Sequence, residues 1–378
     1  MLVSQTLSDT TQLADLDTAM PTEPKPATHW IERGPQKRLM LFSGRSHPSL
    51  AQDIADKLGI ELGAIELKTF ANGETYCHYQ ESIRGTDVFL VQTGCPPVDR
   101  NLMELLLMIQ AAKLASAKRI TAVVPWFPYS RQEKKSAPRE PISAKLVADF
   151  LQDAGADRVL TMELHAGQIQ GFFDIPVDHM TALPLFGQYF RDKGLYGDSV
   201  VSVSPDPGRA KMARKFGQML ESELAIMNKT RPAHDQAAIT QVIGDVAGKI
   251  AIMGDDMIVT GGTLVAAAEA LKEAGALAVH VFATHGHFSG NAMEKLAEAD
   301  LAEIVVTDTV PIDPLNRPDT LKVMPVSGLL AETILSVFAD SSVSAIFEGE
   351  NQLFSQPNTV EFPRRDSRRF ERLDSTGA

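Results

Sequence analysis

The sequence predicts an α/β protein built from two doubly wound parallel-sheet domains. The chain has 378 residues, about twice the ~150 residues expected of one domain. From Leu39 onward, short apolar runs rich in β-branched residues alternate with segments of helical periodicity. Because the strand candidates are nearly continuous apolar runs between helices, we expect parallel strands that helices cover on both faces.

The predicted elements alternate along the whole central part of the chain. The strand candidates are residues 39–42, 88–92, 120–125, 159–162, 200–203, 224–227, 250–253, 279–283 and 304–307. The helix candidates are residues 50–58, 102–115, 144–153, 209–220, 263–273 and 329–338. Two successive halves of similar size indicate that one architecture is used twice.

A break in this alternation predicts the domain boundary. Around residues 177–198, Pro184 and several glycines loosen the pattern. We therefore predict an N-terminal α/β domain over residues 38–182, onto which residues 326–349 pack back, and a C-terminal α/β domain over residues 183–325. Residues 1–37 lack the charged and apolar regions of a signal peptide and are predicted to be a flexible tail, as are the polar residues 350–378.

Composition excludes several classes of function. Hydrophobic residues make up 44% and charged residues 22% of the chain, which is typical of a globular protein. No run of about 18 apolar residues is present, so we expect no membrane span. A net charge of -12 disfavours a nucleic-acid partner. The two cysteines, Cys77 and Cys95, exclude a disulfide scaffold and a cysteine zinc site, and they fit a reducing, cytoplasmic location.

The most informative segment is residues 252–263, Ile-Met-Gly-Asp-Asp-Met-Ile-Val-Thr-Gly-Gly-Thr. It runs from a strand through two acids and a small-residue loop into a helix, at the strand end where open α/β sheets bind ligands. Backbone amides of the loop can surround a phosphate, and the acids can accept hydrogen bonds from sugar hydroxyls. The segment therefore predicts a ribose 5-phosphate site, formed by Asp255, Asp256, Thr260, Gly261, Gly262 and Thr263. It has neither the Lys of a Walker loop nor Gly-x-Gly-x-x-Gly, and the alternative is a capped turn with solvated acids.

The segment resembles a phosphoribosyl-diphosphate loop, and the chain is similar to the ribose-phosphate diphosphokinase, or PRPP synthetase, family. The matching text lies, in order and with the family's spacing, at residues 70–74, 101–109, 116–124, 129–132, 164–166, 168–174, 204–206 and 229–232. The resemblance covers about residues 38–347. It implies two domains of phosphoribosyltransferase type.

The resemblance implies an ATP site in two parts. The family's Phe stacks on adenine while its Asn and Glu bond the adenine edge, often from a neighbouring subunit; the matching residues are Phe70, Asn72 and Glu74. Arg131 and Gln132, just after a predicted strand, match further ATP-binding positions. Without the resemblance, Asn-Gly is a common turn dipeptide and an exposed Arg is usually a surface charge.

The resemblance also implies a metal site and a catalytic loop. His165 and Asp206 follow predicted strands, at positions where the family holds Mg²⁺, an ion that keeps several of its waters. Lys229 and Arg231 match the family's Lys-x-Arg loop, and two cations there can neutralise charge on the transferred group. Taken alone, these residue types are more often structural or solvated.

The implied reaction transfers the β,γ-diphosphoryl group of Mg-ATP to the anomeric hydroxyl of ribose 5-phosphate, giving PRPP and AMP. The implied assembly is a homo-hexamer built from dimers, and Ser82 and Arg84 match a site through which ADP and phosphate often regulate relatives.

The sequence departs from the family's pattern at two places. Val259 stands where many members have a third acid, and residues 207–211 differ from the commoner Gly-Gly version.

Two alternatives stay open at this point. A phosphoribosyltransferase would use the same loop, but it would need neither the adenine motif nor the Lys-x-Arg pair, and one such domain typically suffices. A catalytically silent regulatory paralogue would keep the fold. Val259 favours the paralogue, whereas His165, Asp206, Lys229 and Arg231 argue against it.

Overall fold

The computed structural model describes residues 37–230 and 239–343, without the side chains of residues 229, 230, 239 and 240. Apart from Lys37, both predicted tails lie outside the described residues. Within the described ranges, two separate sheets with parallel strands follow one another along the chain, with helices between the strands. The predicted fold class, α/β with doubly wound parallel sheets, is confirmed.

The first sheet contains five parallel strands in the order β1-β4-β5-β6-β7. Strands β2 and β3 form a separate antiparallel hairpin. The elements in chain order are β1 (Leu39–Ser43), α1 (Pro48–Leu58), β2 (Ile65–Thr69), β3 (Thr75–Tyr79), β4 (Asp87–Val91), α2 (Val98–Leu114), β5 (Arg119–Val124), α3 (Ser143–Ala154), β6 (Arg158–Met162) and β7 (Val177–Met180).

The second sheet contains seven strands in the order β10-β9-β8-β11-β12-β13-β14. All neighbours are parallel except the edge pair β9 and β10. The elements are α4 (Leu183–Asp192), β8 (Val200–Ser204), α5 (Ala210–Leu220), β9 (Glu223–Thr230), β10 (Ile239–Ile243), β11 (Ile250–Ile258), α6 (Gly262–Glu273), β12 (Ala278–Gly286), α7 (Ala292–Glu298), β13 (Glu303–Thr307), β14 (Leu321–Met324) and α8 (Ser327–Phe338).

All nine predicted strands and all six predicted helices are present, because strong local signals specify them. Every residue of β4 and β8 is buried, which explains why both strands are nearly uninterrupted apolar runs. Helix α1 shows how an end is specified. It begins with Pro48, whose missing N–H costs nothing there, and ends at Gly59, which adopts the left-handed conformation with φ 67°.

The predicted interruption of the alternation at residues 177–198 is wrong. Strand β7 pairs with β6 there, and helix α4 follows it. Pro184 lies in the first turn of α4, where a proline does not break a helix. The boundary between residues 182 and 183 remains a prediction.

Short or half-exposed elements were missed. The sequence pattern does not predict β2, β3, β7, β10, β14, α4 or α7. Within the described residues, strands β2 and β3 pair with each other and with no other strand, and they contain no buried residue, so they lack a continuous apolar run. Strands β7 and β14 have four residues each. Elements this short carry too few residues for a period to be recognised.

One apolar cluster contains residues of both sheets and of helices α1, α4, α5 and α8. Phe282 of β12 packs against Phe216 of α5 and Phe186 of α4, with ring centroids 4.3 and 4.7 Å apart. In the same cluster, Leu330 and other residues of α8 lie with Leu50 and other residues of α1. Helix α8, near the end of the described residues, therefore packs against α1, near their beginning.

No helix among the described residues has the length and apolarity needed to cross a membrane.

Gly254 of β11 is a position where the core has no room for a side chain. A Cβ added there would lie 2.1 Å from Cζ of Phe282, whose ring is held by Phe186 and Phe216. We therefore expect Gly254→Ala to lower the free energy of unfolding by about 1–3 kcal/mol, measured by urea denaturation.

Gly328 of α8 offers a matched control, because an added Cβ there meets nothing within 4 Å. Gly328→Ala should leave stability unchanged or raise it by up to about 1 kcal/mol. If Gly254→Ala proved as stable as the original chain, the described packing of Phe282 would be wrong.

Candidate active site

A cavity of about 980 Å³ lies at the carboxyl ends of strands from both sheets. The residues that follow β6 and β7, the loop after β8, the far end of β11 and one face of α5 line it. Among its lining residues are Glu163, His165, Asp206, Arg209, Asp255 and Asp256. The cavity therefore has the position that open α/β sheets use for ligands, and it brings together four of the residues predicted from sequence.

The acid pair, Asp255 and Asp256, lies inside β11, which extends five residues beyond the predicted strand end at residue 253. Asp256 is buried, and Asp255 is partly exposed to the cavity. The Asp256 amide donates to Oδ1 of Asp255 at 2.8 Å. Two carboxylates on adjacent residues are thus held in a largely desolvated place, where like charges repel strongly.

The surroundings separate the titration of the two acids. Burial and the negative charge of Asp256 raise the pKa of Asp255 to about 8. Burial also acts to raise the pKa of Asp256, but the hydrogen bond from His165 and the charge of Arg209 outweigh it and lower that pKa to about 2. Asp256 is therefore the carboxylate that stays ionised at neutral pH, as a hydrogen-bond acceptor requires.

His165 follows β6 and contacts the acid pair from the first sheet. Its Nδ1 lies 2.7 Å from Oδ2 of Asp256, so the ring can donate from Nδ1 to a carboxylate. This arrangement leaves the Nε2 lone pair for a ligand, as in many metal sites where a carboxylate orients the histidine. Asp206, the other predicted metal ligand, is exposed on the cavity wall and caps the next turn by accepting from the Arg209 amide at 3.1 Å.

These two side chains fit an ion that takes few ligands from the protein. Over residues 37–230 and 239–343, the structure contains no cluster of three or more His, Cys, Asp or Glu side chains arranged to hold a metal. A hard cation such as Mg²⁺ satisfies its remaining positions with water and substrate phosphates. One imidazole and one carboxylate are therefore an adequate donor set for Mg²⁺ if a phosphate-bearing ligand is present.

Arg209 is a site residue that the sequence analysis missed. Its Nη2 donates to Oδ2 of Asp256 at 2.6 Å, its Nε lies 3.3 Å from Oδ1 of Asp255, and its Nη1 donates to the backbone oxygen of His165 at 3.3 Å. The available signal was its place in residues 207–211, the segment noted for departing from the commoner Gly-Gly version. The guanidinium connects the second sheet's acids to the first sheet's histidine.

Glu163 was also missed, although it directly precedes the Leu164-His165 motif. It adopts a positive φ of 41°, and its Oε2 accepts from Oγ1 of Thr181 at 2.8 Å and from the amide of Ala182 at 3.3 Å. Desolvation raises the pKa of Glu163. The side chain supports the cavity wall beside His165.

The predicted phosphate loop forms the entrance to helix α6. Gly261 adopts the left-handed conformation with φ 72°, and its Cβ position would lie 3.1 Å from Leu296, so only glycine fits without strain. Thr260, Gly262 and Thr263 are exposed. They follow the acid pair on the chain, and they are not among the residues that line the described cavity.

Val259 packs against an apolar cluster formed by Cys95, Trp126, Met257 and Val310. The position therefore has apolar neighbours in this chain. A carboxylate in the same setting would lose solvation without gaining a cation from these side chains.

The predicted adenine residues lie away from the cavity. Phe70, Asn72 and Glu74 occupy the tip of the β2–β3 hairpin, where Phe70 is 45% exposed. The Phe70 ring contacts Tyr76 edge to face, and the Glu74 amide donates to Oδ1 of Asn72 at 3.2 Å. None of the three lines the cavity described within this chain.

Arg131 and Gln132 lie nearer to the cavity. Both are exposed, and the next two residues, Glu133 and Lys134, line its wall. Oε1 of Gln132 accepts from Oγ of Ser143 at 2.6 Å. The chain therefore runs from these two residues directly into the wall of the cavity.

The roles of all the predicted site residues stay predictions, including those of Lys229, Arg231, Ser82 and Arg84. Lys229 belongs to strand β9, but its side chain lies outside the described part of the structure, and so does the whole of Arg231. Ser82 and Arg84 are exposed after β3, where Nη1 of Arg84 donates to Oγ of Ser116 at 3.2 Å.

Two doubly wound sheets with an acid-lined cavity at their carboxyl ends define an α/β ligand-binding protein of the kind that nucleotide- and sugar-phosphate-using enzymes share. A family model for the N-terminal domain of ribose phosphate pyrophosphokinase matches residues 39–155, and one for the phosphoribosyl synthetase-associated domain matches residues 226–348. The chain belongs to the ribose-phosphate pyrophosphokinase family.

Two bacterial relatives match over nearly their whole length. The ribose-phosphate pyrophosphokinase of Clostridium acetobutylicum is 48% identical over 83% of this chain and 98% of its own. That of Caldanaerobacter subterraneus subsp. tengcongensis is 50% identical over 82% of this chain and 98% of its own. The crystal structure of phosphoribosylpyrophosphate synthetase from Mycobacterium smegmatis is 46% identical, with a TM-score of 0.76, covering 81% of this chain and all (100%) of that one.

The raised pKa of Asp255 predicts a pH dependence of stability. A carboxyl whose pKa rises from 3.8 to about 8 on folding binds more protons in the folded than in the unfolded chain across that interval. The contribution of Asp255 to the free energy of unfolding of the ligand-free chain should therefore fall as the pH rises through this window. Asp255→Asn should remove this contribution, which is measured as the difference in slope from the original chain in urea denaturation between about pH 5 and about pH 8.

The matched control is Asp300→Asn, which removes a carboxyl that is 84% exposed. This variant should keep the slope of the original chain. An unchanged slope in Asp255→Asn would show that Asp255 titrates as an ordinary solvated acid.

Proposed function

We propose that the chain catalyses transfer of the β,γ-diphosphoryl group of ATP to the anomeric hydroxyl of ribose 5-phosphate, giving PRPP and AMP. One observation carries this proposal. The acid pair of β11 meets His165, which follows β6 of the first sheet, in a single cavity, in a chain with the family membership described above.

The acid pair recognises the sugar. The ionised Asp256 and the adjacent Asp255 offer acceptors for the two vicinal ribose hydroxyls. The 5-phosphate binds Thr260, Gly261, Gly262 and Thr263 at the N-terminus of α6, where free amides and the helix dipole favour an anion. Binding at both ends orients the anomeric hydroxyl for attack.

The ATP side of the site uses residues of the first half. Arg131 and Gln132 bind the nucleotide, and Phe70, Asn72 and Glu74 bind adenine. His165 and Asp206 would hold Mg²⁺, which when bound polarises the phosphates. The anomeric oxygen attacks the β-phosphorus in line with departing AMP, and Lys229 and Arg231 stabilise the charge that develops. No residue is required as a general base.

A second copy of the chain completes the adenine site. The hairpin tip carries an exposed aromatic ring, yet it does not line the cavity of its own chain. A hairpin that reaches a neighbour's cavity accounts for both facts, and a closed homo-oligomer, a hexamer built from dimers, would supply one hairpin to every site.

The free thiols Cys77 and Cys95 agree with a reducing, cytoplasmic setting.

The presence of Val259 in place of a third acid is compatible with an active enzyme. Its side chain belongs to an apolar cluster, and Asp255 and Asp256 already provide acceptors for two hydroxyls. A third carboxylate would add a negative charge near a bound phosphate. We therefore favour an active enzyme over a silent regulatory paralogue.

The test of the reaction is product analysis of the purified chain with ribose 5-phosphate, ATP and Mg²⁺. We expect AMP and PRPP in equal amounts, and no turnover once EDTA removes the metal. ADP in place of AMP would exclude diphosphoryl transfer. Consumption of PRPP with an added nucleobase, in the absence of ATP, would instead indicate a phosphoribosyltransferase.

The same assay on Val259→Asp tests the paralogue. The variant should be less stable and no more active, because the new carboxylate is placed among apolar side chains. An inactive original chain that Val259→Asp makes active would show that the paralogue interpretation was right.

Subunit sharing is testable by mixing two impaired variants. Phe70→Ala should impair the hairpin and His165→Ala the cavity, so each alone should turn over slowly. If a site takes its hairpin from one subunit and its histidine from another, equal mixing with subunit exchange restores about a quarter of the sites. A mixture no more active than its components would place both residues in sites formed within one chain.

A further inference from the structure

The guanidinium of Arg209 occupies the acid pair of the described cavity. It engages one oxygen of each carboxylate, Oδ2 of Asp256 at 2.6 Å and Oδ1 of Asp255 at 3.3 Å. Its Nη1 also donates to the backbone oxygen of His165 at 3.3 Å. The proposed function assigns the same two carboxylates to ribose hydroxyls, so Arg209 and the sugar compete for one pair of acceptors.

The Asp255 and Asp256 carboxylates need a positive charge close by. Asp256 is 3% exposed, and two neighbouring carboxylates with little solvent attract any cation that can reach them. A divalent metal ion is the strongest such competitor, since carboxylate oxygens are its preferred ligands. The fixed guanidinium meets this need from within the chain, with a planar fork that matches carboxylates.

The backbone of Arg209 is anchored while its side chain is long enough to move. Its amide donates to Oδ1 of Asp206 at 3.1 Å, in the turn that leads into α5. A ligand with hydroxyl groups and a phosphate can replace the ion pair on both sides. Its hydroxyls donate to the two acids, and its phosphate pairs with the guanidinium that is released. A bare metal ion satisfies only the acids.

We propose that Arg209 is an internal counter-ion that keeps free divalent cations off the Asp255–Asp256 pair and so reserves the pair for the hydroxyl groups of a sugar phosphate. The identity of the sugar phosphate rests on the proposed function, whereas the exclusion of cations does not. Arg209 thereby determines which ligand class the acid pair accepts.

The experiment is calorimetric titration of the full chain with Mn²⁺ alone, without ATP or ribose 5-phosphate. We expect Arg209→Gln to bind Mn²⁺ about tenfold more tightly than the original chain, the gain produced by removing one charge-assisted contact. Adding Asp256→Asn to that variant should cancel the gain. Mn²⁺ should also inhibit Arg209→Gln competitively against ribose 5-phosphate.

Arg214 provides the matched control. It lies on α5, is exposed, and lines the same cavity, and among the described contacts the acid pair's ion pairs with an arginine run to Arg209. Arg214→Gln removes the same charge and should leave Mn²⁺ affinity unchanged. An equal gain in Arg214→Gln, or no gain in Arg209→Gln, would overturn the proposal.

Arg209→Gly serves as the second variant if Arg209→Gln does not fold, because glycine is accepted at a turn entering a helix and φ there is -94°. It should show the same tenfold gain, and unchanged Mn²⁺ affinity in the folded variant would overturn the proposal. Since Mn²⁺ binding needs no turnover, this outcome is separate from failure of the proposed reaction.

Discussion

The acid pair on β11 is the constraint on which the described site depends. Two adjacent carboxylates with little access to solvent are tolerated only where opposite charge or hydrogen-bond donors lie close by. Arg209 enters from the loop after β8, and His165 from the loop after β6. The need to compensate the charge of Asp255 and Asp256 therefore brings loops from both sheets to the same place.

The core beneath the site serves the same arrangement. Strand β11 carries the acids, and Gly254 directly before them gives room for the Phe282 ring of β12. That ring in turn packs on Phe216 and Phe186, from the helices α5 and α4. Because interiors are closely packed, these aromatic contacts help to fix the position of the carboxylates, and Phe186 and Phe282 also line the cavity.

The described contacts also separate two roles within the cavity. Asp256 and His165 are mutually oriented, which makes one an ionised acceptor and leaves the other a lone pair for a ligand. Arg209 engages both, because it donates to Oδ2 of Asp256 and to the backbone oxygen of His165. The single charge of Arg209 therefore offsets part of the negative charge of the acid pair, and in the proposed binding a sugar phosphate exchanges partners with Arg209 rather than entering an empty acidic pocket.

The sequence by itself determined the alternating strands and helices, the loop around Gly261 and the positions of Asp255, Asp256 and His165 toward the carboxyl ends of strands, because period, buried apolar runs and short motifs are local properties. Only the tertiary structure decided that β7 and α4 continue the alternation, that Val259 has apolar neighbours, that the Phe70 hairpin lies off the cavity, and that Arg209 pairs with the acids. These outcomes depend on contacts between residues far apart in the chain, for which a single sequence carries no local signal.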